Sequence, residues 1–403
     1  MTTLDTIDRD TRRQSLGIAA RLLRALVPPP AAGKLRIVTP VGETIDFVGR
    51  TSGLETTVVI ERWRAIWRLM RRGEIGFAEA FMDGDWTTPD LTRFLEWALR
   101  NEAQAGVFHG HIGTRLARRV AHRLRANTRR GSRRNIAAHY DLGNDFYHLW
   151  LDRSMSYSSG IYLSEAVTLE EAQDAKLDRV AALLDVSPGD SILEIGCGWG
   201  SVLERLLTRH DCRMTALTLS TEQRRYAQGR VERLGVAPRA DIHLQDYRDI
   251  SGQFDRIVSI EMLEAVGERY WPIYFDRLRA CLKPGGTCVL QVITIAEDRF
   301  AGYRSNPDFI QSYVFPGGML PTKSVIRDAA RAAGLSLETE ESFGLSYART
   351  LREWHDRLLA NGDALAALGL PTLFQRMWEY YLSYCEAGFR GGAIDVSLFQ
   401  LRG

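Results

Sequence analysis

The chain has few cysteines, and they lack the arrangement of a disulfide scaffold. No two of them form a C-x-x-C pair, the spacing typical of zinc and redox sites. Secreted domains that depend on disulfides carry their cysteines at much higher density. We therefore expect free thiols, a reducing cytoplasm and no metal site. The five cysteines in 403 residues are Cys197, Cys212, Cys281, Cys288 and Cys385.

Long apolar runs and an export signal are also missing. The longest uncharged apolar stretch, around Gly285 to Ala296, is well short of the ~20 residues that span a bilayer. The first ten residues, M-T-T-L-D-T-I-D-R-D, are acidic and polar, whereas a signal peptide begins basic and continues apolar. The sequence therefore predicts a cytoplasmic protein whose membrane contact is peripheral.

Acidic residues are absent between Glu102 and Asp141, although the formal net charge of the whole chain is only +2. Apolar side chains recur there at every fourth position, which predicts a basic amphipathic helix leading into a linker. The apolar positions are Ile112, Leu116, Val120 and Leu124, and the arginines are Arg115, Arg118, Arg119, Arg123, Arg125, Arg129, Arg130, Arg133 and Arg134.

Basic side chains beside an anionic leaflet contribute roughly 1 kcal/mol each to membrane binding. We therefore expect Arg118, Arg119 and Arg123 to contact the inner leaflet of the membrane. A solvated interdomain helix is the alternative interpretation. Nucleic-acid binding is disfavoured because no recognition motif accompanies the charge.

The pattern of strands and helices predicts two domains. Residues 1–105 are expected to form a small α+β domain, residues 106–135 the basic helix and linker, and residues 136–403 a catalytic domain. The first domain has short strands within residues 34–60, helices at Arg62–Arg72 and Leu91–Asn101, and a turn at Gly84–Trp86. It carries no recognisable catalytic constellation.

In the second domain strands alternate with helices, which predicts a doubly wound parallel α/β sheet, the Rossmann-like class. Ligands of such sheets bind at the carboxyl ends of the strands. The predicted strands are Ser191–Ile195, Arg213–Leu219, Asp241–Leu244, Phe254–Ile260 and Thr287–Ile293, with helices at Val202–Arg209 and Thr221–Leu234 and a turn at Lys283–Gly286.

A glycine-rich loop, L-E-I-G-C-G-W-G at Leu193–Gly200, joins the first of these strands to the first helix. Glycines allow a tight turn and a close approach of the backbone to a ligand. Such a loop could hold a dinucleotide, but the second strand ends in Leu217–Ser220 without the acidic residue that usually binds its ribose. The spacing after the acidic residue resembles the first motif of class I methyltransferases, which bind S-adenosylmethionine. The residues expected to bind this cofactor are Glu194, Gly196, Gly198, Gly200, Thr218, Ser220, Gln223, Gln245 and Asp246.

Further segments resemble the cyclopropane-fatty-acyl-phospholipid synthases and mycolic acid cyclopropane synthases from residue 135 to the end. The resemblance implies a class I methyltransferase that modifies double bonds in phospholipid acyl chains. It also implies that Tyr157 and Ser158 contact the cofactor and that His139 and Tyr140 meet the substrate. The matching segments are Ala138–Tyr147, Met155–Gly160, Leu193–Gly200, Leu217–Gln223, Leu244–Tyr247, Ser259–Glu264, Tyr313–Gly318, Ser346–Leu351, Tyr380–Leu382 and Phe389–Arg390.

In this family a polar cluster holds a bicarbonate that removes a proton after methyl transfer. Glu264 and Tyr347 match two members of the cluster, and Ile293 matches a residue that offers its backbone. The family's cysteine is replaced by Ser159 and its histidine by Gln291, which can still donate hydrogen bonds. Glutamine cannot carry the charge or proton of histidine. Glu261 is a further departure, where the family commonly has glycine or a small residue, and a partly exposed strand-end charge is as good an interpretation as a functional one.

These departures leave the product open. Proton loss from the transferred methyl group closes a cyclopropane ring, the outcome that the resemblance favours. Proton loss from a neighbouring chain carbon gives a methyl-branched or methylene chain, and Glu264 is itself a candidate base. A non-catalytic lipid-binding homologue and a methyltransferase for small molecules are further alternatives. A homodimer is left open.

Overall fold

The computed structural model describes residues 17–104 and 143–403. The expected domain boundaries near residues 105 and 135 lie outside these ranges. The same holds for Arg118, Arg119, Arg123, His139 and Tyr140. None of the described helices is both long and apolar enough to cross a bilayer.

The N-terminal unit is a four-stranded sheet with the order β2-β1-β3-β4. Strand β1 (Ala32–Val38) pairs antiparallel with β2 (Thr44–Val48) and parallel with β3 (Thr51–Ile60). Burial alternates along β2, whose Ile45 and Phe47 face the core, as expected for a sheet with one solvated face. The strands predicted within residues 34–60 are therefore confirmed.

The first helix predicted after these strands is longer than expected. It was placed at Arg62–Arg72, whereas α2 spans Arg64–Met82 with a non-helical residue, Gly73 (φ 65°), inside it. The glycine adopts a conformation that other residues rarely take, and the helix resumes because the residues beyond it, including Phe81, pack into the core. Strand β4 (Trp86–Thr87) and helix α3 (Leu91–Arg100) follow, and α1 precedes the sheet at Ile18–Leu26.

The larger unit is a seven-stranded sheet with the order β10-β11-β9-β8-β5-β6-β7. Neighbouring strands from β9 to β7 are parallel, which confirms the predicted doubly wound sheet. The last strand was not predicted: it lies antiparallel between β9 and β10. The strands are β5 (Asp190–Ile195), β6 (Cys212–Thr218), β7 (Ala240–Leu244), β8 (Phe254–Ile260), β9 (Leu282–Ile295), β10 (Ser336–Ser342) and β11 (Ile394–Arg402).

Helices cover both faces of this sheet. Apolar side chains of α5, α6 and α7 form the core on one face, and those of α9 and α11 form it on the other. The helices are α4 (Asn144–His148), α5 (Leu169–Leu184), α6 (Ser201–Arg209), α7 (Thr221–Arg233), α8 (Leu263–Val266), α9 (Trp271–Cys281), α10 (Glu297–Ser305), α11 (Lys323–Ala332), α12 (Gly344–Ala360), α13 (Gly362–Ala367) and α14 (Thr372–Arg390), with a π-helical turn at Ile310–Val314.

Helix α14 joins the two units. It packs against α2 and α3, and the rings of Phe81 and Tyr380 lie 5.6 Å apart across the contact. Thr92 of α3 donates a hydrogen bond of 3.0 Å to the buried carboxylate of Glu386 on α14. The N-terminal unit is therefore fixed to the helices that stand beside the carboxyl ends of the parallel strands.

Candidate active site

The glycine-rich turn follows β5 and leads into α6. Gly196, Gly198 and Gly200 all have positive φ angles. A Cβ on Gly196 would lie 2.3 Å from Cγ of Met262, whereas a Cβ on Gly198 would meet nothing within 4 Å. The turn therefore packs tightly at its first glycine and leaves open space at its second, as expected where backbone approaches a ligand.

A cavity of about 1270 Å³, including its open mouth, extends from this turn. The cavity runs from the glycine turn past Glu261 to Phe315 and Pro316, so one space joins the turn to a carboxylate and to apolar side chains. Eight of the predicted cofactor residues line it: Tyr157, Ser158, Glu194, Gly196, Gly198, Thr218, Gln223 and Gln245.

Three predicted cofactor residues, Gly200, Ser220 and Asp246, lie outside the cavity lining. Ser220 caps α7, because its hydroxyl accepts a hydrogen bond from the backbone N–H of Gln223 (3.2 Å). Asp246 accepts a hydrogen bond of 2.8 Å from Nε of Arg248. Both polar side chains therefore form hydrogen bonds within the protein. Gly200 is the N-cap of α6.

A buried lysine, Lys176 of α5, was not predicted. It lines the cavity and donates a hydrogen bond of 2.9 Å to the hydroxyl of Ser158. Burial lowers the pKa of Lys176 to about 8 and raises the pKa of Glu194 to about 8. Oε2 of Glu194 is buried and has no hydrogen-bond partner among the described residues. An ammonium group of a bound cofactor would supply one, so this part of the cavity fits S-adenosylmethionine.

Glu261, at the end of β8, occupies the centre of the polar cluster. Its Oε1 accepts hydrogen bonds from the backbone N–H of Ser159 (2.9 Å) and from Nε2 of Gln291 (2.8 Å). Its Oε2 accepts one from the hydroxyl of Tyr347 (2.7 Å). Three cluster positions predicted from the sequence therefore converge on a residue whose role the sequence left open.

The roles of Ser159 and Ile293 differ from those expected. The hydroxyl of Ser159 donates to the carbonyl of Gly160 (2.8 Å), so only its backbone N–H serves the cluster. The backbone N–H of Ile293 donates a short hydrogen bond to Oε1 of Glu264. The backbone of Ile293 therefore donates to a glutamate of the protein, whereas the resemblance implies that it donates to a bicarbonate.

Glu261 and Glu264 are two carboxyl groups that influence each other, because the charge of Glu261 acts on Glu264. Burial, and then the charge of Glu261, raise the pKa of Glu264 to about 8. Burial also raises the pKa of Glu261, but three hydrogen bonds and the charge of Lys176 oppose that rise. The backbone N–H of Ile293 donates to Oε1 of Glu264, whereas Oε2 of Glu264 has no hydrogen-bond partner in the described ranges. The hydrogen bonds and Lys176 therefore favour Glu261 as the charged member of the pair, and burial favours the protonated form of Glu264.

The donor set does not fit a bicarbonate. The N–H of Ser159, the amide of Gln291 and the hydroxyl of Tyr347 are all used by Glu261. A second anion placed there would be repelled by the first and would find fewer donors. Glu261 also lines the cavity, whereas Glu264 does not.

Aromatic side chains lie beside the site. The hydroxyl groups of Tyr157 and Tyr381 lie 2.8 Å apart, and the ring of Tyr157 lies 5.5 Å from that of the fully buried Trp354. Phe315 and Pro316 line the cavity directly. Such walls limit the access of water to the carboxylate of Glu261, which strengthens its interactions with its polar partners.

A family model described as mycolic acid cyclopropane synthetase matches residues 127–399 of the chain. Tuberculostearic acid methyltransferase UfaA1 of Mycobacterium tuberculosis (strain ATCC 25618 / H37Rv) is 41% identical over 353 residues, which cover 83% of this chain and 80% of the relative. Cyclopropane-fatty-acyl-phospholipid synthase of Escherichia coli (strain K12) is 36% identical over 336 residues, covering 83% and 84% respectively.

A solved structure of mycolic acid cyclopropane synthase CmaA1, complexed with SAH and CTAB, resembles this one with a TM-score of 0.63 and 32% sequence identity. The match covers 67% of this chain and 98% of that chain. It agrees with the cofactor cavity described above, because SAH is the demethylated form of the predicted cofactor.

Proposed function

The chain belongs to the mycolic acid cyclopropane synthetase family and is an S-adenosylmethionine-dependent methyltransferase that modifies unsaturated lipid chains; on this premise we propose that its substrate is an unsaturated acyl chain of a membrane phospholipid. One observation carries the proposal: a single cavity joins the glycine turn to a buried carboxylate with apolar walls. A soluble polar substrate would not need such walls.

The product that we propose is a methyl-branched alkene. The relative with 41% identity is named for tuberculostearic acid, a methyl-branched fatty acid. The hydrogen-bond pattern at Glu261 also departs from the bicarbonate cluster of the cyclopropane synthases. Cyclopropane formation is the second candidate, favoured by the 36% identity to the Escherichia coli synthase.

Each part of the cavity has a task in this reaction. When bound, S-adenosylmethionine supplies an electrophilic methyl group. The glycine turn and Glu194 would hold its amino-acid part, and Thr218, Gln223 and Gln245 would face its nucleoside. Phe315, Pro316 and the aromatic cluster exclude water from the acyl chain, and Glu261 provides a carboxylate within the same cavity.

The test combines purified protein, vesicles of a cis-monounsaturated phospholipid and cofactor carrying a deuterated methyl group. Mass spectrometry of the released acyl chains, before and after ozonolysis, identifies the product. A methyl-branched alkene gains mass and is cleaved by ozone, whereas a cyclopropane chain gains mass and resists it. Absence of label from the lipid, with cofactor binding intact, would contradict the proposal and favour a non-catalytic protein or a small-molecule substrate.

We also propose that the protein works in the cytoplasm, peripherally bound to the inner leaflet. All five cysteines are free thiols, as suits a reducing compartment. At the start of α2, Trp63, Trp67 and Met70 are between 36% and 56% exposed, and the guanidinium of Arg71 lies 5.0 Å from the centre of the Trp67 ring. Tryptophan and arginine together are typical of membrane interfaces. The arginines at 118, 119 and 123 are a second candidate anchor.

The membrane test uses two variants with one matched control. Replacing both Trp63 and Trp67 with serine should weaken co-sedimentation with anionic vesicles by roughly tenfold or more, since each buried side chain contributes about 1.5–3 kcal/mol. Reversing the charge of Arg118, Arg119 and Arg123 should weaken it most at low salt. The control is Leu234→Ser, which removes an apolar side chain of similar exposure (40%) at the C-cap of α7. Equal binding by all variants would contradict the peripheral anchor.

A further inference from the structure

Glu261 stands where the family resemblance places a bicarbonate, on the donors expected to bind that ion. We infer that the carboxylate of Glu261 is the resident base of this enzyme, and that the reaction needs no bicarbonate. The inference rests on the proposed function and names the group that completes it.

The backbone of Glu261 supports this assignment. Its φ angle is +50°, in the left-handed region that few residues other than glycine adopt. Its N–H is held by the carbonyl of Gln291 (2.8 Å), which fixes the strained turn at the end of β8. Strain of this kind persists where the surrounding structure enforces it, commonly at functional sites.

The hydrogen bonds hold the carboxylate as a bicarbonate would be held, with donors on both oxygens. Both oxygens of Glu261 are engaged, by Ser159 and Gln291 on one side and by Tyr347 on the other. The charge of the buried Lys176 also acts on this carboxylate. The ion is therefore stabilised by fixed donors and a positive charge, while its location on the cavity wall leaves it accessible to the acyl chain.

The chemistry balances with this base alone. The π electrons of the acyl double bond form the new carbon–carbon bond as the sulfur–methyl bond breaks, its electron pair staying on sulfur. A carbocation remains on the adjacent chain carbon. Glu261 takes a proton from a neighbouring carbon, and the released C–H pair forms the double bond of a methyl-branched alkene. Loss of the proton from the transferred methyl group would instead close a three-membered ring. Glu261 then releases its proton to solvent.

Glu261→Gln removes the basic group while keeping the shape of the site. The amide oxygen can accept from Ser159 and Gln291, and the amide NH₂ can donate to Tyr347, whose hydroxyl then accepts. Turnover should fall by about 10²–10⁴-fold, the usual contribution of a general base, while binding of SAH, measured by calorimetry, stays unchanged. Glu338→Gln, which alters an exposed ion pair with Arg402, is the matched control and should retain full activity.

Glu261→Gly introduces a residue suited to the positive φ and leaves the donors of Ser159, Gln291 and Tyr347 without their acceptor. We expect this variant to be nearly inactive in buffer stripped of carbon dioxide and to regain activity when bicarbonate is added. Carbon-13 NMR of labelled bicarbonate should show binding to this variant and none to the wild-type protein. The wild-type protein should turn over equally with and without bicarbonate.

The outcomes separate this inference from the proposed function. If the wild-type protein methylates lipid but needs bicarbonate, or if Glu261→Gln is fully active, Glu261 is not the base and the proposed function stands. If the wild-type protein methylates no lipid under any condition, the proposed function fails, and the NMR comparison still reports whether Glu261 excludes bicarbonate.

Discussion

Replacing Tyr347 with phenylalanine tests whether Glu261 acts as an anion during catalysis. The hydroxyl of Tyr347 donates to Oε2 of Glu261 over 2.7 Å, and the side chain is only 5% exposed. Phenylalanine keeps the ring contacts with Phe389 and Trp354, whose centroids lie 4.6 and 6.0 Å away. The change therefore removes one hydrogen bond to a charged group and little else.

The size of the effect follows from that hydrogen bond. Hydrogen bonds to charged groups contribute roughly 1.5–3 kcal/mol, and one pH unit corresponds to about 1.4 kcal/mol. Losing a donor disfavours the ionised form and raises the pKa of Glu261, so the base stays protonated to a higher pH. The acid limb of the kcat/KM profile should therefore move upward by about one to two pH units, with activity recovering on the alkaline side.

The assay is the pH profile of methyl transfer to lipid vesicles, with folding checked by circular dichroism at each pH. Tyr274→Phe is the matched control, because Tyr274 is also buried but donates to Ser259 (2.8 Å) and not to Glu261. Its acid limb should stay in place. An acid limb that is identical in the wild type and the Tyr347→Phe variant would refute the role of Glu261 as an ionised base.

Three further predictions concern cofactor binding and stability. Gly196→Ala should reduce SAH affinity at least tenfold by calorimetry, because its Cβ would lie 2.3 Å from Met262 at a φ of +85°; unchanged affinity would mean that the turn does not hold the cofactor. Glu386→Gln should lower the free energy of unfolding by roughly 2–3 kcal/mol in urea titrations. This is less than the usual cost of breaking a buried ion pair, because the partners Arg352 and Arg390 reach solvent. A loss below about 0.5 kcal/mol would contradict this prediction. The pKa of Glu264 is raised from 4.5 to about 8, so between these pH values the folded state binds more protons than the unfolded state, and the free energy of unfolding falls as pH rises. Glu264→Gln should reduce this fall by up to about 1.4 kcal/mol per pH unit. Parallel plots of unfolding free energy against pH for the two proteins would contradict the raised pKa.

Local patterns in the sequence predicted much of the fold. The parallel strands β5 to β8 are short, apolar and separated by amphipathic helices, so their periodicity identified them to within a residue or two. The predicted turn at Lys283–Gly286 is instead a shift in the pairing of β9 with β8. Strand β11 pairs antiparallel with β9 over nine residues. Its place in the sheet depends on contacts distant in sequence, which local patterns do not contain.

The site was predicted less completely, for a physical reason. Glycine spacing identified the turn, because backbone conformation restricts which residues can stand there. The partners of polar side chains are set by tertiary contacts: Ser220 and Asp246 are used inside the protein, and Lys176 is buried among carboxylates. The amphipathic pattern of α5 does not indicate that Lys176 is buried.

The three departures at the cluster, Ser159, Gln291 and Glu261, have one explanation in the structure. Viewed separately, the loss of the family's cysteine and histidine left the product of the reaction open. With the anion attached to the chain, the site needs neutral donors of fixed geometry, and the backbone of Ser159 and the amide of Gln291 provide them. A histidine at 291 could give its proton to Glu261 and so neutralise the base, whereas an amide cannot. The residues at 159 and 291 are therefore suited to a carboxylate that belongs to the chain, as expected of a site in which Glu261 removes the proton.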